Sequence, residues 1–231
     1  MTSHAHVILF CTDAYHFKCM NIHKSTQSTP NRSSLSDKEL VYLYRREHDM
    51  EAFKTLFNRY ESKIYSYIYS MVLNTETAND LFQDTFTKVI MKMEKNYNEE
   101  GKWIAWVMRI AHNATIDYLR RAKKFVHISS SSDGEENTDF FHRVADEGAL
   151  DASQVYVQHE DKKRMYKHIS RLPEEQRAVV MLRHYEELSF KEIAEITGVS
   201  INTALGRMRY ALTNLRKYFE EEQQSEKNHA S

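Results

Sequence analysis

The side chains with the most definite chemistry lie near the C-terminal end of the chain. Hydroxyl, amide, guanidinium and phenol groups recur there within one short segment. Such groups hydrogen-bond to base edges and phosphates, so they favour DNA binding over bond-making chemistry. The candidate positions, which include one glycine, are Ser200, Asn202, Thr203, Gly206, Arg207, Arg209 and Tyr210. They would form one surface if a helix presents them together.

The surrounding residues predict such a helix as part of a helix-turn-helix. Ser189 with Glu192 three positions later is the spacing of a capping box that starts a short helix. Gly198 can adopt the left-handed conformation that ends it, and Ser200 is placed to cap a second helix. Three- and four-residue spacing predicts that the second helix buries Ala204, Leu205, Met208, Ala211, Leu212 and Leu215. An ordinary helical hairpin is the alternative interpretation.

No catalytic or metal-binding pattern is recognisable in the sequence. His112 and Asp117 are five residues apart, which does not place them on one helical face. Glycine-rich phosphate loops and paired Cys and His are also missing. The tail carries histidines and cysteines whose spacing matches no regular zinc pattern, namely His4, His6, Cys11, His16, Cys19 and His23. We therefore predict no enzymatic activity, no metal and no cofactor.

Charge is distributed unevenly although the total nearly cancels, with 32 Lys plus Arg against 33 Asp plus Glu. Residues 102–124 carry six basic side chains and one acidic side chain. Residues 125–161 carry one basic and nine acidic side chains, and residues 162–219 carry twelve basic and six acidic. Two basic segments around an acidic one predict two nucleic-acid-binding modules joined by a segment that does not bind nucleic acid.

An all-α fold is indicated by the near absence of helix breakers. Neither glycine nor proline occurs between Asn31 and Glu100. Four helices are predicted over residues 35–124, and three of them have extended inward-facing stripes. These are Phe53, Leu56, Phe57, Tyr60, Ile64, Tyr67, Ile68 and Met71; then Ala78, Leu81, Phe82, Phe86, Val89 and Met93; then Trp103, Trp106, Val107, Ile110, Ala111, Ala114 and Tyr118.

Composition changes divide the chain into five segments. We expect a disordered tail over residues 1–34, a four-helix domain over 35–124 and an acidic flexible linker over 125–160. A helix-turn-helix domain over 161–219 and a polar tail over 220–231 follow. Translation starting at Met20 is an alternative origin for the first segment. We expect a cytoplasmic protein, because its two cysteines suggest no disulfide framework and no apolar run has the length of a membrane span.

Both helical segments resemble the sigma-70 family of RNA polymerase sigma factors. The sequences Ala78-Asn-Asp-Leu-Phe-Gln-Asp-Thr-Phe86 and Trp103-Ile-Ala-Trp-Val-Met-Arg-Ile-Ala-His-Asn113, with Asp117 and Arg120-Arg121, resemble its second conserved region. Leu172-Pro173, Arg177, Leu188-Ser189, Glu192-Ile-Ala194, Gly198-Val-Ser200, Thr203 and Arg207 resemble its fourth region. Two such regions with a short linker resemble the extracytoplasmic-function group.

That resemblance implies partners for three surfaces. Asp80, Gln83, Asp84 and Thr87 would bind the β′ coiled coil of core RNA polymerase. Melting and capture of the minus-ten promoter element would use Asn96, Tyr97, Asn98, Lys102, Arg109, Asn113, Arg120 and Arg121. The helix-turn-helix would bind the minus-thirty-five element as duplex and contact the β flap of polymerase. An anti-sigma factor is a further implied partner, and stable membrane insertion is not implied.

Some features keep other interpretations open. Family members commonly carry Val, Ser and Arg where Ala204, Gly206 and Tyr210 stand, which leaves the base preference undetermined. An ordinary helix-turn-helix regulator with an N-terminal sensor or dimerisation domain is the main alternative. A helical enzyme such as a nuclease is a third. The acidic linker would thread through polymerase, although a simple soluble tether has the same composition.

Overall fold

The computed structural model describes residues 32–97, 102–126, 164–184 and 187–229. Within these ranges the regular secondary structure is helical, without a β-strand, which confirms the all-α prediction. A 3-10 turn at Arg32–Ser34 precedes α1 (Asp37–Glu47), α2 (Met50–Val72), α3 (Thr75–Asn96) and α4 (Trp103–Val126). We call these the N-terminal unit. The C-terminal unit contains α5 (residues 164–170), α6 (Glu174–His184), α7 (Phe190–Thr197) and α8 (Ile201–His229).

The helices of the N-terminal unit begin where short polar side chains can cap them. Ser36 and Glu39 form the predicted capping box of α1. Asp49 caps α2, and the side-chain oxygen of Asn74 accepts a 2.9 Å hydrogen bond from the Thr77 amide at the start of α3. Leu73 between them has a φ of 56°, a left-handed conformation that ends α2. The local sequence thus determines where these helices start and stop.

The predicted apolar stripes form the core of the N-terminal unit. The rings of Phe57 and Phe86 meet edge to face with 4.7 Å between centroids, and Phe82 packs beside both. Trp103 is almost fully buried. Trp106 is only half-buried and Tyr118 is 39% exposed, so the stripe of α4 is narrower than predicted. Tyr118 lies at the outer edge of that stripe, where its hydroxyl approaches Thr77.

In the C-terminal unit α7 and α8 form the predicted helix-turn-helix. Gly198 ends α7 with a φ of 67°. Ala204 and Ala211 of α8 are fully buried, but Leu205 and Leu212 are 44% and 52% exposed, contrary to prediction. A residue advances about 100° around a helix, so both leucines lie well to one side of the line that contacts α6 and α7. The apolar residues of α8 therefore span a wider arc of the helix than the arc that α6 and α7 bury.

The structure corrects the predicted ends of both helical segments. The described residues begin at Arg32, within the segment expected to be a disordered tail, and the Arg32 guanidinium is 2.8 Å from the Asp49 carboxylate. At the other end, α8 continues to His229 although a polar tail was expected from residue 220. Glu222 explains the extension, because its carboxylate lies 2.8 Å from His168 and 3.4 Å from Arg164 on α5. Polar contacts with α5 thus hold the end of α8, which has no apolar stripe from which sequence reasoning could have predicted it.

The two units pack directly against one another. Helix α2 contacts α6, and α4 contacts α7. Buried apolar side chains of both units form one continuous cluster. Charge patterning predicted two modules on a flexible tether and contained no signal for this contact. Residues 127–163, which include nearly all of the acidic linker, lie outside the described ranges.

Candidate nucleic-acid interface

The start of α8 is organised by two hydroxyl groups that were both predicted to contact DNA. Ser200 accepts a hydrogen bond of 3.1 Å from the amide of Thr203, which confirms its predicted capping role. The two hydroxyls also lie 2.8 Å apart and bond to each other. Both side chains remain exposed. A DNA backbone could therefore approach the first turn of α8 without breaking its cap.

The predicted contact residues share the outer half of α8. Asn202, Thr203 and Arg209 are exposed, and Tyr210 is 66% exposed. Arg207 is half-buried at the edge of this surface. From Ser200 to Tyr210 the helix rises about 15 Å, which suits contacts to a few consecutive base pairs in a major groove. The structure thus brings the C-terminal candidates together on one face.

The two glycines of the helix-turn-helix differ in backbone conformation. Gly198 has a positive φ, which other L residues adopt only with strain. Gly206 has an ordinary helical conformation, and a Cβ added to it would have no neighbour within 4 Å. Packing therefore does not require a glycine at position 206. Because position 206 has no side chain, another molecule can approach the backbone of α8 closely there.

The minus-ten candidates on α4, with Lys102 directly before it, form a second polar and basic surface. Lys102, Arg109, Asn113, Arg120 and Arg121 are all exposed. Arg120 pairs with Asp117 one turn earlier at 3.3 Å. Lys102, Arg109, Asn113 and Arg120 are seven, four and seven residues apart, spacings close to whole helical turns, so they follow one flank of α4.

Three further minus-ten candidates come earlier in the chain, at or after the last residue of α3. Tyr97 is buried, and its ring packs edge to face on Trp106 with 5.2 Å between centroids. The structure therefore places it in the core, where it supports α4, and not on the predicted binding surface. Asn96 is the last residue of α3, and nothing is described of its side chain. Asn98 lies outside the described ranges.

Cations of α4, and Lys102 directly before it, lie near acidic residues of the C-terminal unit. Lys102 Nζ is 3.4 Å from a carboxylate oxygen of Glu192, and Arg109 Nη2 is 3.5 Å from Glu195 Oε2. Further along α4, Lys123 Nζ is 2.5 Å from Glu174 at the start of α6. Sequence reasoning assigned Glu192 to a capping box but predicted none of these three contacts, since acidic residues on an amphipathic helix usually face solvent.

A buried polar pair lies between α2 and α4. The hydroxyl of Tyr67 and Nδ1 of His112 share a 2.6 Å hydrogen bond. Burial lowers the pKa of His112 to about 4, against an opposing effect of the Glu174 carboxylate, and Arg207 lowers it further. Burial also raises the pKa of Tyr67, with a contribution from Glu174. Both groups are therefore neutral near pH 7 and act as structural hydrogen-bonding partners.

The outward side of α3 is polar as predicted. Asp80, Gln83, Asp84 and Thr87 are exposed. Asp84 pairs with Lys88 at 2.6 Å, and the hydroxyl of Thr87 donates to the main-chain oxygen of Gln83. The opposite side of the helix is anchored in the core. A rigid helix with exposed carboxylates is suited to a charged protein partner.

Among the described residues, no group of three or more His, Cys, Asp or Glu side chains is arranged to hold a metal ion. None of the helices in these ranges combines the length and apolarity that crossing a bilayer requires. Cys11, Cys19 and the tail histidines lie outside them, so the structure does not bear on their role.

Comparisons with known proteins agree with this arrangement. Residues 56–125 match the family described as Sigma-70 region 2, and residues 162–213 match the one described as Sigma-70, region 4. The first match covers the N-terminal unit from within α2 to α4, and the second covers most of the C-terminal unit. The chain is 30% identical over 178 residues to RNA polymerase sigma factor YlaC of Bacillus subtilis, covering 74% of this chain and 96% of that protein. It is 29% identical over 172 residues to ECF RNA polymerase sigma factor SigW of the same organism, covering 74% and 91%.

Solved structures show the same fold. The sigma factor RpoE of Bartonella quintana, in complex with the anti-sigma factor NepR, superposes with a TM-score of 0.56 at 21% identity, covering 73% of this chain and 96% of that one. CnrH, in complex with the cytosolic domain of CnrY, superposes with a TM-score of 0.55 at 18% identity, covering 80% and 97%.

Proposed function

This chain belongs to the extracytoplasmic-function group of the sigma-70 family of RNA polymerase sigma factors, and on that basis we propose how its two units share promoter recognition. The N-terminal unit binds core polymerase and the minus-ten element, and the C-terminal unit binds the minus-thirty-five element. The observation that carries this assignment is that α4 and α8 each expose a polar and basic face, within the segments that match regions 2 and 4.

The C-terminal unit would place α8 in the major groove. Arg207 and Arg209 are the candidates for guanine edges or phosphates, because a guanidinium can donate two hydrogen bonds in parallel. Asn202 and Thr203 would contact base edges or the backbone. Ser200 would contact a phosphate beside its cap. Gly206 would allow the backbone of α8 to approach the DNA, and Tyr210 would contact it at the far end of the face.

The N-terminal unit would hold the melted strand of the minus-ten element. A single strand requires cations along its phosphates and polar or aromatic groups for an unstacked base. Lys102, directly before α4, and Arg109, Asn113, Arg120 and Arg121 of α4 supply the charge and one amide, while Asn96, Tyr97 and Asn98 precede them. The buried position of Tyr97 favours a supporting role for its ring.

The outer side of α3 would bind the β′ coiled coil of polymerase through Asp80, Gln83, Asp84 and Thr87, and the C-terminal unit would contact the β flap. We also propose an anti-sigma partner, because the structural relatives include a sigma factor complexed with one. Sigma factors are not known as enzymes, and we propose that polymerase supplies all the catalysis. The place of action would be the cytoplasm.

Transcription in vitro tests the proposal directly. Purified chain and core polymerase are incubated with genomic DNA of the host, and RNA 5′ ends are mapped. We expect discrete start sites preceded by shared minus-ten and minus-thirty-five sequences, and no such starts when either protein is omitted. Starts that depend on core alone would contradict the proposal. The regulator alternative predicts a different result, namely duplex binding without core and no new start sites.

A further inference from the structure

An apolar flank runs along α8 beside its polar face. Ile201, Leu205 and Leu212 are 46%, 44% and 52% exposed, and spacings of four and seven residues place them on one side of the helix. A single exposed leucine is common on protein surfaces. Three large apolar side chains in one line, on a helix whose outward residues are otherwise polar or basic, indicate a contact that the described residues do not supply.

Leu205 lies between two of the proposed DNA contacts. Asn202 precedes it by three residues and Arg209 follows it by four, so both are its neighbours on the helix surface. Because each residue advances about 100°, the side chains of Leu205 and Arg209 leave the helix only about 40° apart. All three side chains are exposed. A duplex that contacts Asn202 and Arg209 would therefore also cover Leu205.

The charge of α8 favours DNA as the molecule that covers this flank. From Ile201 to Phe219 the helix carries four basic residues and no acidic residue. Two of the four, Arg209 and Arg216, are exposed and lie one turn before and one turn after Leu212. A polyanion would neutralise these cations while it buries the apolar side chains between them.

The chemistry of leucine selects the group that it would contact. Leu205 has no hydrogen-bond donor or acceptor, and the apolar group that bases present in the major groove is the 5-methyl group of thymine. Residues near the start of a recognition helix reach base edges. Leu205 is in the second turn of α8, whereas Leu212 is about 10 Å farther along the axis.

We propose that Leu205 contacts the methyl group of a thymine in the minus-thirty-five element and makes that base pair part of the recognised sequence. This inference rests on the proposed binding of α8 to DNA. Leu205 adds an apolar contact to the hydrogen bonds of Asn202 and Arg209, and the three side chains together form the surface that selects the sequence.

Deoxyuridine provides the first test, because it pairs as thymidine does and lacks only the methyl group. Each thymidine of the mapped minus-thirty-five element is replaced in turn, and competition binding measures the affinity of the holoenzyme for each duplex. We expect one replacement to weaken binding about fourfold, the effect of losing one buried methyl group. An element without any sensitive thymidine would overturn the proposal.

Variants of the two leucines identify the side chain that contacts the methyl group. Leu205→Ala should bind the unmodified promoter about fourfold more weakly and should no longer distinguish deoxyuridine from thymidine at the sensitive position. Leu212→Ala is the matched control, since it removes an exposed leucine of the same flank and should retain the discrimination of the parent. Undiminished discrimination by Leu205→Ala would overturn the proposal.

A protein partner for the flank gives a different result. Competition for core polymerase should show that Leu205→Ala assembles as the parent does. If Leu205→Ala instead weakens assembly and leaves the discrimination unchanged, the flank contacts polymerase and the proposal is wrong.

The failure of this inference is distinguishable from the failure of the proposed function. If the parent chain with core polymerase directs no promoter-specific start, the sigma-factor roles of the two units fail. The same deoxyuridine comparison, made with the full chain on duplexes that it selects from a random pool, then decides whether Leu205 contacts a thymine methyl group.

Discussion

Arg177 donates a hydrogen bond from Nη1 to the main-chain oxygen of Ser70, 3.0 Å away in the other unit. Ser70 lies in the last turn of α2, where carbonyl groups have no intrahelical partner. Through Nη2 the same guanidinium also donates to the oxygens of Ser170 and Leu172, at 2.8 and 3.0 Å. One half-buried side chain thus joins the end of α2 to the turn before α6.

Replacing Arg177 should therefore lower the stability of the folded chain. We expect Arg177→Ala to lower the free energy of unfolding by about 2 kcal/mol, since several charge-assisted hydrogen bonds are lost and water replaces them only in part. Arg177→Lys should lose less. Urea unfolding followed by circular dichroism measures both. Arg209→Ala is the control, and its exposed side chain should change the value by less than about 0.5 kcal/mol. Equal effects at 177 and 209 would argue against a structural role for Arg177.

His112 predicts a specific acid sensitivity. Its pKa is lowered to about 4 in the folded chain, from an ordinary value of 6.5. Between these two values the unfolded chain binds more protons than the folded one, so stability falls as the pH falls from about 6.5 towards 4, by up to about 1.4 kcal/mol per pH unit. His112→Gln should flatten this dependence. Unfolding free energies measured across that range in both proteins test it, and parallel profiles would refute it.

The two glycines of the helix-turn-helix should respond to alanine in opposite directions. Gly198→Ala should destabilise by about 1 kcal/mol, because the left-handed conformation strains a residue with a Cβ. Gly206→Ala should stabilise by about 0.5–1 kcal/mol, because the helix gains a better helix former and the added methyl has open space. Thermal unfolding distinguishes the two. If Gly206→Ala is more stable but binds promoter DNA less well, then the glycine serves close approach.

Asp84 tests the proposed polymerase face of α3. Asp84→Arg replaces an exposed carboxylate and removes the pair with Lys88, and we expect holoenzyme assembly to weaken about tenfold while the fold is retained. Competition for core polymerase measures the first effect and circular dichroism the second. Glu220→Arg makes the same charge change on α8 and should assemble normally. Undiminished assembly of Asp84→Arg would move the polymerase contact to another surface.

Arg207 tests the assignment of α8. If its guanidinium contacts a guanine edge, Arg207→Ala should cost the holoenzyme about 1–3 kcal/mol on its promoter and relax selectivity at one base pair. An equal loss on all sequences would instead identify a phosphate contact. Fluorescence anisotropy with the mapped promoter and single-base variants separates these outcomes. Arg216→Ala, farther along α8 and exposed, should bind as the parent does.

Local features of the fold were predictable from sequence because their physics is local. A capping box needs only a serine and a glutamate three residues apart, and both examples are present at Ser36 and Ser189. Gly198 ends α7 in the left-handed conformation that the turn requires. The apolar stripe of α3, with Phe82 and Phe86, is buried as its spacing indicates. Sequence alone thus determined the helices, their order and the faces that carry the candidate contacts.

What the tertiary structure decided is which of those faces meet. Leu205 has the spacing of a core residue, yet it is exposed because α6 and α7 cover only a narrow strip of α8. Tyr97 has the chemistry of a base-stacking residue, yet it packs on Trp106. The pairing of Arg109 with Glu195 joins residues 86 positions apart. Such contacts depend on how whole helices pack, and helical periodicity carries no information about the partner that a face will find.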